Sequence, residues 1–172
     1  MFNEFIRNNR YVAGVLALIR IYLGYQWFTH GIEKLTGGGF DASGFIQGAI
    51  ANSTGESATV QGWWGTFLET VALPGANIFS LLVMWGEVLV GAALILGLFT
   101  NFAALMAATM NFAFLFSGTV STNAQMVLLT IFLIVAGYNA GRYGLDRFVL
   151  PFVRKTFDHK DKKNVTKKVA EA

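Results

Sequence analysis

The sequence predicts an all-α protein, an integral membrane antiparallel four-helix bundle, and two observations support this fold class. Of its 172 residues, 54% are hydrophobic and only 13% are charged, whereas about a quarter of the residues of a soluble domain are charged. The apolar residues are also concentrated in long runs, and about 20 of them in a row suffice to cross a bilayer as a helix. The four predicted spans are about 11–34, 76–99, 102–117 and 124–141.

The connections between these runs define the remaining organisation. The first run follows a short polar start and ends at Gly37-Gly38-Gly39. Residues 36–75 are predicted to form a long outer loop, in which 45–50 and 63–73 are too short to span. The aromatic stretch 63–73 suits a helix in the headgroup layer, or a lid over a site that faces the membrane. Tight turns join the other spans. Residues 1–150 are thus the predicted membrane domain, and 151–172 a basic cytoplasmic tail.

The basic residues predict the orientation of these spans. Thirteen Lys and Arg are present, and none of them lies between 35 and 141. Because basic residues accumulate in cytoplasmic segments, we expect a multi-pass protein of the cell membrane with both termini in the cytoplasm. The positive charge therefore belongs to a cytoplasmic fringe, and nucleic acid is not an expected partner.

The absence of cysteine limits the chemistry of the chain. Without cysteine the chain supplies no disulfide, thiol or iron–sulfur ligand. Its only histidines are His30 and His159, which do not suit a bis-histidine haem. We therefore expect neither metal nor haem from this chain, and a redox role would use a bound organic molecule or a partner's cofactor.

One charged residue lies near the middle of each of the first two spans, Arg20 and Glu87. Charges at that depth are costly unless they are paired. We therefore predict a buried Arg20–Glu87 ion pair that lines a cavity between the first two helices. A structural pair that fixes helix packing and a pair on a ligand or proton pathway both remain open.

Further polar candidates lie toward the outer side. Trp27 and Lys34 share one face of the first helix with Arg20. His30 lies one helical turn before Lys34, where an imidazole could guide protons or hold a quinone carbonyl. Lys34 could instead reach lipid phosphates. Asn111 and Gln125 are predicted in the outer halves of the third and fourth spans, either to bind the polar head of a ligand or to tie helices together.

A last charged group follows the fourth span. Arg142 and Asp146 are spaced as an i,i+4 helix pair within a cytoplasmic collar. We interpret this collar as a helix-end network.

Three segments together resemble the DoxX family of small bacterial membrane proteins. They are RIYLGYQWFTHGIEKL (20–35), GEVLVGAALILGLFTNFA (86–103) and GYNAGRYGLDRF (137–148). The resemblance lies in the G-x-x-K-L element, in Gly86-Glu87 and in the glycine-rich turn before Thr100. It implies a four-helix membrane fold. It also implies a link to quinone-coupled oxidation, through similarity to the small subunit of thiosulfate:quinone oxidoreductase, and to resistance against thiol or quinone stress.

Two principal functions follow from these expectations. The first is a quinone-linked oxidoreductase subunit or quinone-binding component, with Glu87 and His30 carrying protons. The residues expected to bind the ligand are Arg20, Trp27, Lys34, Asn111 and Gln125. The expected partners are the bilayer, a membrane quinone, a redox subunit, and further copies of this chain or of another. The second function is a non-catalytic membrane scaffold or lipid-binding protein, and a small-solute transporter ranks third.

Overall fold

The computed structural model describes residues 1–153 and 155, and every regular element in that part of the chain is helical. The predicted tail therefore lies outside the described residues except at 151–153 and 155. The helices are α1 (Phe2–Asn8), α2 (Arg10–Thr36), α3 (Ala42–Ala51), α4 (Gly62–Phe67), α5 (Ala76–Leu96), α6 (Thr100–Phe116), α7 (Asn123–Ala136) and α8 (Tyr138–Gly141). A π-helical turn, Leu68–Ala72, continues α4, and residues 146–153 are helical.

Helices α2, α5, α6 and α7 pack around one apolar core that includes Leu23, Leu94 and Leu133. By length and composition, α2 and α5 could each cross a membrane, whereas α6 and α7 are shorter apolar helices. The outward faces are apolar as well. Leu18, Leu89, Phe102 and Leu128, one on each helix, are exposed large hydrophobic residues. A helix that is apolar on all sides suits a lipid environment.

Helices α2 and α5 run antiparallel and approach closely at glycines. A Cβ atom on Gly91 would lie 2.7 Å from the Cα of Phe28, and one on Gly31 would lie 2.7 Å from the backbone nitrogen of Val88. Small residues allow this approach between membrane helices. The two backbones are therefore in direct contact along most of the interface.

We expect Gly91→Ala to destabilise the protein by about 2 kcal/mol, because the added methyl group would force α2 and α5 apart. Gly14→Ala is the matched control, since a Cβ there meets nothing within 4 Å and alanine favours a helix over glycine. Unfolding in detergent would measure both variants. Equal stability of the two would contradict the close-packing argument.

The segment between α2 and α5, residues 37–75, folds into a second apolar cluster that we call the outer segment. Its core includes Ile46, Val60 and Leu68. Asp41 accepts hydrogen bonds from the backbone N–H and hydroxyl of Ser43 at the start of α3. These bonds hold the pKa of the Asp41 carboxyl below its usual range. The two short stretches of the predicted loop, 45–50 and 63–73, therefore pack together on one end of the bundle.

The opposite end of the bundle carries the N-terminus, where the sequence predicted only a short polar start. Ile6 of α1 is buried in the main core. The side-chain amide of Asn139 donates to the carbonyls of Ile6 (2.7 Å) and Asn9 (3.0 Å). These contacts fix α1 against the end of α7 and the start of α8, and we call this end the termini face.

Candidate functional site

The buried carboxylate of Glu87 is paired with Lys34. Lys34 Nζ donates to Glu87 Oε2 at 2.6 Å, and the side chains are 25% and 2% exposed, respectively. Lys34 Nζ also lies 5.5 Å from the ring centroid of Phe40. The Arg20–Glu87 pair predicted from the sequence is therefore wrong.

The register of α2 against α5 explains this difference. Glu87 lies opposite Gly31, where a Cβ would be 3.0 Å from the Cβ of Glu87. Arg20 is eleven residues earlier on α2 and therefore about 16 Å away along the helix axis. The sequence placed Arg20 and Glu87 at the same depth because each lies near the middle of its span. The glycine contacts between α2 and α5 set a different register.

Arg20 lies at the other end of α5, fully buried among backbone atoms. Its Nη2 donates to the carbonyl of Tyr143 at 3.2 Å. Its guanidinium fills the space that a side chain at Gly97 or Gly144 would occupy. Asp146 is its electrostatic partner. Gly97 also has φ 66°, a conformation that glycine adopts at low cost. Arg20 thus joins the α5–α6 turn to the segment after α8.

Asp146 is a buried residue whose role the sequence did not reveal. Its two carboxylate oxygens accept the backbone N–H groups of Phe99 (2.6 Å) and Thr100 (2.9 Å) at the start of α6. The predicted Arg142–Asp146 pair is wrong, since Arg142 donates to the carbonyl of Asn8. The glycine-rich turn before Thr100 could have suggested that its free N–H groups need an acceptor.

The other predicted site residues differ in their exposure. His30 is exposed but acts electrostatically on Glu87. Trp27 and Asn111 are buried, and neither the indole N–H of Trp27 nor the amide of Asn111 has a hydrogen-bond partner among the described residues. Gln125 is exposed on α7. Among the seven candidates, Lys34 is hydrogen-bonded to Glu87, and His30 acts on that carboxylate.

A cavity of about 270 Å³ lies between α5, α6 and the outer segment. The cavity therefore does not lie between α2 and α5, where the sequence predicted one and where the backbones touch. Its lining residues are almost entirely apolar: Phe40, Ala42, Phe45, Ile46, Trp64, Phe67, Leu68, Ala72, Phe79, Leu82, Val83, Thr109, Met110, Ala113, Phe114 and Ser117.

The polar atoms of this cavity are few and already engaged. The indole N–H of Trp64 donates to Ser117 Oγ at 2.9 Å, and that hydroxyl donates to the carbonyl of Ala113. Thr109 Oγ1 donates to the carbonyl of Leu105. Phe40 both lines the cavity and contacts Lys34. The site therefore combines an apolar, aromatic chamber with one buried ion pair beside its wall.

Comparison with known proteins identifies the family of this chain. No curated protein and no solved structure matches it. The DoxX family profile matches residues 15–120, a range that covers most of α2, the outer segment, α5 and α6. Because this match covers more than half of the 172 residues, the chain belongs to the DoxX family.

Proposed function

We propose that this chain is a membrane component that binds a quinone ring in the cavity beneath its outer segment and serves a redox or stress-response complex. The aromatic cavity of about 270 Å³ is the observation that supports this function most directly. Binding sites for small molecules are mostly apolar, with a few polar groups that orient the ligand. A flat, weakly polar ring suits such a chamber.

The aromatic walls favour a planar ligand. Trp64 and Phe67 are stacked with ring centroids 5.0 Å apart, and Phe45 meets Phe114 edge to face at 5.8 Å. Offset and edge-to-face contacts would extend to a ring placed among them. A quinone carbonyl could replace the Ser117 hydroxyl as the acceptor of the Trp64 indole N–H.

The Lys34–Glu87 pair provides the proton-handling part of this proposal. A bound quinone would supply two-electron chemistry, with the electrons coming from a partner subunit. Glu87 would take part in the proton transfer that quinone reduction requires, and Lys34 would hold its carboxylate in place through their hydrogen bond. His30, exposed near the same end of α2, would connect the pair to solvent.

A non-catalytic role is the second candidate, and one observation favours it. The cavity lining offers only two side-chain hydroxyls, Thr109 and Ser117, and both are engaged in hydrogen bonds. A lipid chain would need no polar partner there. In this alternative the chain binds lipid and acts as a scaffold in a membrane complex.

We further propose that all four core helices cross the membrane, with both termini in the cytoplasm. The apolar outer faces of α6 and α7 and the distribution of Lys and Arg support this topology. Because the chain has no cysteine, the labelling of single introduced cysteines can test this topology. At the exposed positions Ser57 and Thr122, cysteine should react with an impermeant maleimide in intact cells, whereas cysteine at Asn3 should react only after lysis. Labelling of Asn3→Cys in intact cells would contradict this orientation.

We expect Ala113→Phe to weaken quinone binding about tenfold or more, because the new ring would occupy the cavity. Titration of a short-chain quinone into the protein in phosphatidylcholine nanodiscs, followed by quenching of tryptophan emission, would measure this affinity. Leu105→Phe is the matched control, since Leu105 is exposed on the same helix.

The same preparation separates the two candidate functions. Quinol formation from a supplied electron donor, abolished by Ala113→Phe, would support the redox component. Phospholipid held in the cavity, with no quinone binding that Ala113→Phe weakens, would favour the lipid-binding scaffold. If Ala113→Phe and Leu105→Phe bound quinone as tightly as the parent, the cavity would not be the quinone site.

A further inference from the structure

Four arginines, Arg7, Arg10, Arg142 and Arg147, lie in or beside the contacts of the termini face. Arg7 Nε donates to the carbonyl of Val135 at 2.9 Å. Arg142 Nη1 donates to the carbonyl of Asn8 at 3.3 Å. We call these four residues the arginine face.

Segments from both ends of the chain hold the arginine face together. The hydroxyl of Tyr143 donates to the carbonyl of Arg10 at 3.4 Å. This bond joins the start of α2 to the segment after α8, and Arg142 is adjacent to Tyr143 in that segment. Asn139 fixes α1 beside that junction. Arg10 and Arg142, 132 residues apart in sequence, thus lie at the same junction of the chain.

No carboxylate neutralises the arginine face within the described residues. Two ion pairs are present in the described residues, one between the Met1 amino group and Glu4 and one between Lys34 and Glu87. Neither involves an arginine. Asp146 is 2% exposed and its oxygens bind backbone N–H groups. Within the part of the chain that the structure describes, the four arginines therefore carry positive charge without an ion-pair partner.

Exposed aromatic side chains surround these charges. Phe2 and Phe5 on α1 are 67% and 55% exposed, and Tyr11 and Phe148 are also exposed. A helix that presents both aromatic and cationic side chains suits the boundary between headgroups and acyl chains. The adjoining sides of the bundle are apolar, which places this boundary next to the arginines.

We propose that the arginine face is a binding site for an anionic phospholipid, whose phosphate is held between Arg10 and Arg142 while α1 lies in the headgroup layer. Arginine donates several N–H groups in a fixed fork that matches phosphate. The exposed aromatics next to the arginines select a lipid over a soluble phosphate, because they offer contacts for acyl chains. This site does not depend on the function proposed for the cavity.

The Arg10→Gln/Arg142→Gln double variant tests this site. The full chain in neutral detergent would be mixed with phosphatidylglycerol or phosphatidylcholine, and bound lipid counted by native mass spectrometry. We expect phosphatidylglycerol affinity to fall roughly thirtyfold, since each cationic side chain near an anionic surface contributes about fivefold. Phosphatidylcholine binding should be weak and unchanged. The tail lysines are present in both proteins, so their contribution cancels.

Arg10→Lys/Arg142→Lys is the matched control, because it keeps both charges but loses the guanidinium forks, so its affinity should lie between those of the parent and the glutamine variant. Millimolar inorganic phosphate should not displace phosphatidylglycerol, and added salt should weaken its binding to the parent protein, because charge interactions are screened. The salt measurement needs no variant and therefore stands if the glutamine variant does not fold. The site would be ruled out by unchanged binding in a folded glutamine variant, by salt-independent binding, or by full competition from free phosphate.

Discussion

Lys34→Leu is expected to lower the free energy of unfolding by about 3 kcal/mol, because it leaves the buried carboxylate of Glu87 without its partner. Glu87→Leu should cost less, since the partly exposed Lys34 can extend its ammonium toward headgroups. Reversible unfolding in mixed detergent micelles would measure both variants. If the Lys34→Leu variant were as stable as the parent, the Lys34–Glu87 pair would not contribute to stability.

The double variant Lys34→Leu/Glu87→Leu should recover much of the loss, with a coupling energy of about 2 kcal/mol. Arg20→Leu/Glu87→Leu is the control cycle. Its two changes should be additive to within about 0.5 kcal/mol, because Arg20 and Glu87 do not contact each other. Strong coupling in the control cycle would instead support the Arg20–Glu87 ion pair that the sequence predicted.

Asp146→Ala is expected to destabilise the protein by about 3 kcal/mol, because it removes two charge-assisted hydrogen bonds and the electrostatic partner of Arg20. Phe99 has φ 48°, an unfavourable conformation for a bulky residue, and Asp146 holds its N–H. The turn before α6 should therefore open first. Hydrogen exchange at the backbone amides of Phe99 and Thr100 would detect this opening.

Asp146→Asn should be intermediate, because its NH2 group replaces one of the two carboxylate oxygens that accept the N–H groups of Phe99 and Thr100. Arg147→Ala, at the adjacent exposed position, is the matched control and should change stability by less than about 0.5 kcal/mol in neutral detergent. Unchanged exchange at Thr100 in Asp146→Ala would show that another group caps α6.

The sequence predicted the helical class because that class depends on local patterns. Long apolar runs bounded by Gly37, Gly75, Gly97 and Gly137 lie close to the observed helices, since runs of this kind fold locally. Pairing between helices depends on tertiary contacts instead. Gly31 and Gly91 set the α2–α5 register, and no count of residues from the span ends contains that information.

The candidate site was less predictable for a related reason. The i,i+4 rule suggested Arg142–Asp146, but residues 142–145 form turns and a bend, so the rule for helices did not apply. The cavity arises because the outer segment folds back over α5 and α6. Its aromatic residues were visible in the sequence as interfacial anchors, but their convergence on one chamber requires the tertiary fold.

The contacts of Asn139 with Ile6 and Asn9 also constrain the order of events during synthesis. At 5 to 20 residues per second, roughly ten seconds separate the emergence of Asn9 from that of Asn139. Until then the two hydrogen bonds from Asn139 to Ile6 and Asn9 cannot form, and the packing of α1 is incomplete. The first helix to be translated is therefore among the last to be secured, and a chain that stops before Asn139 leaves its N-terminus accessible to proteases.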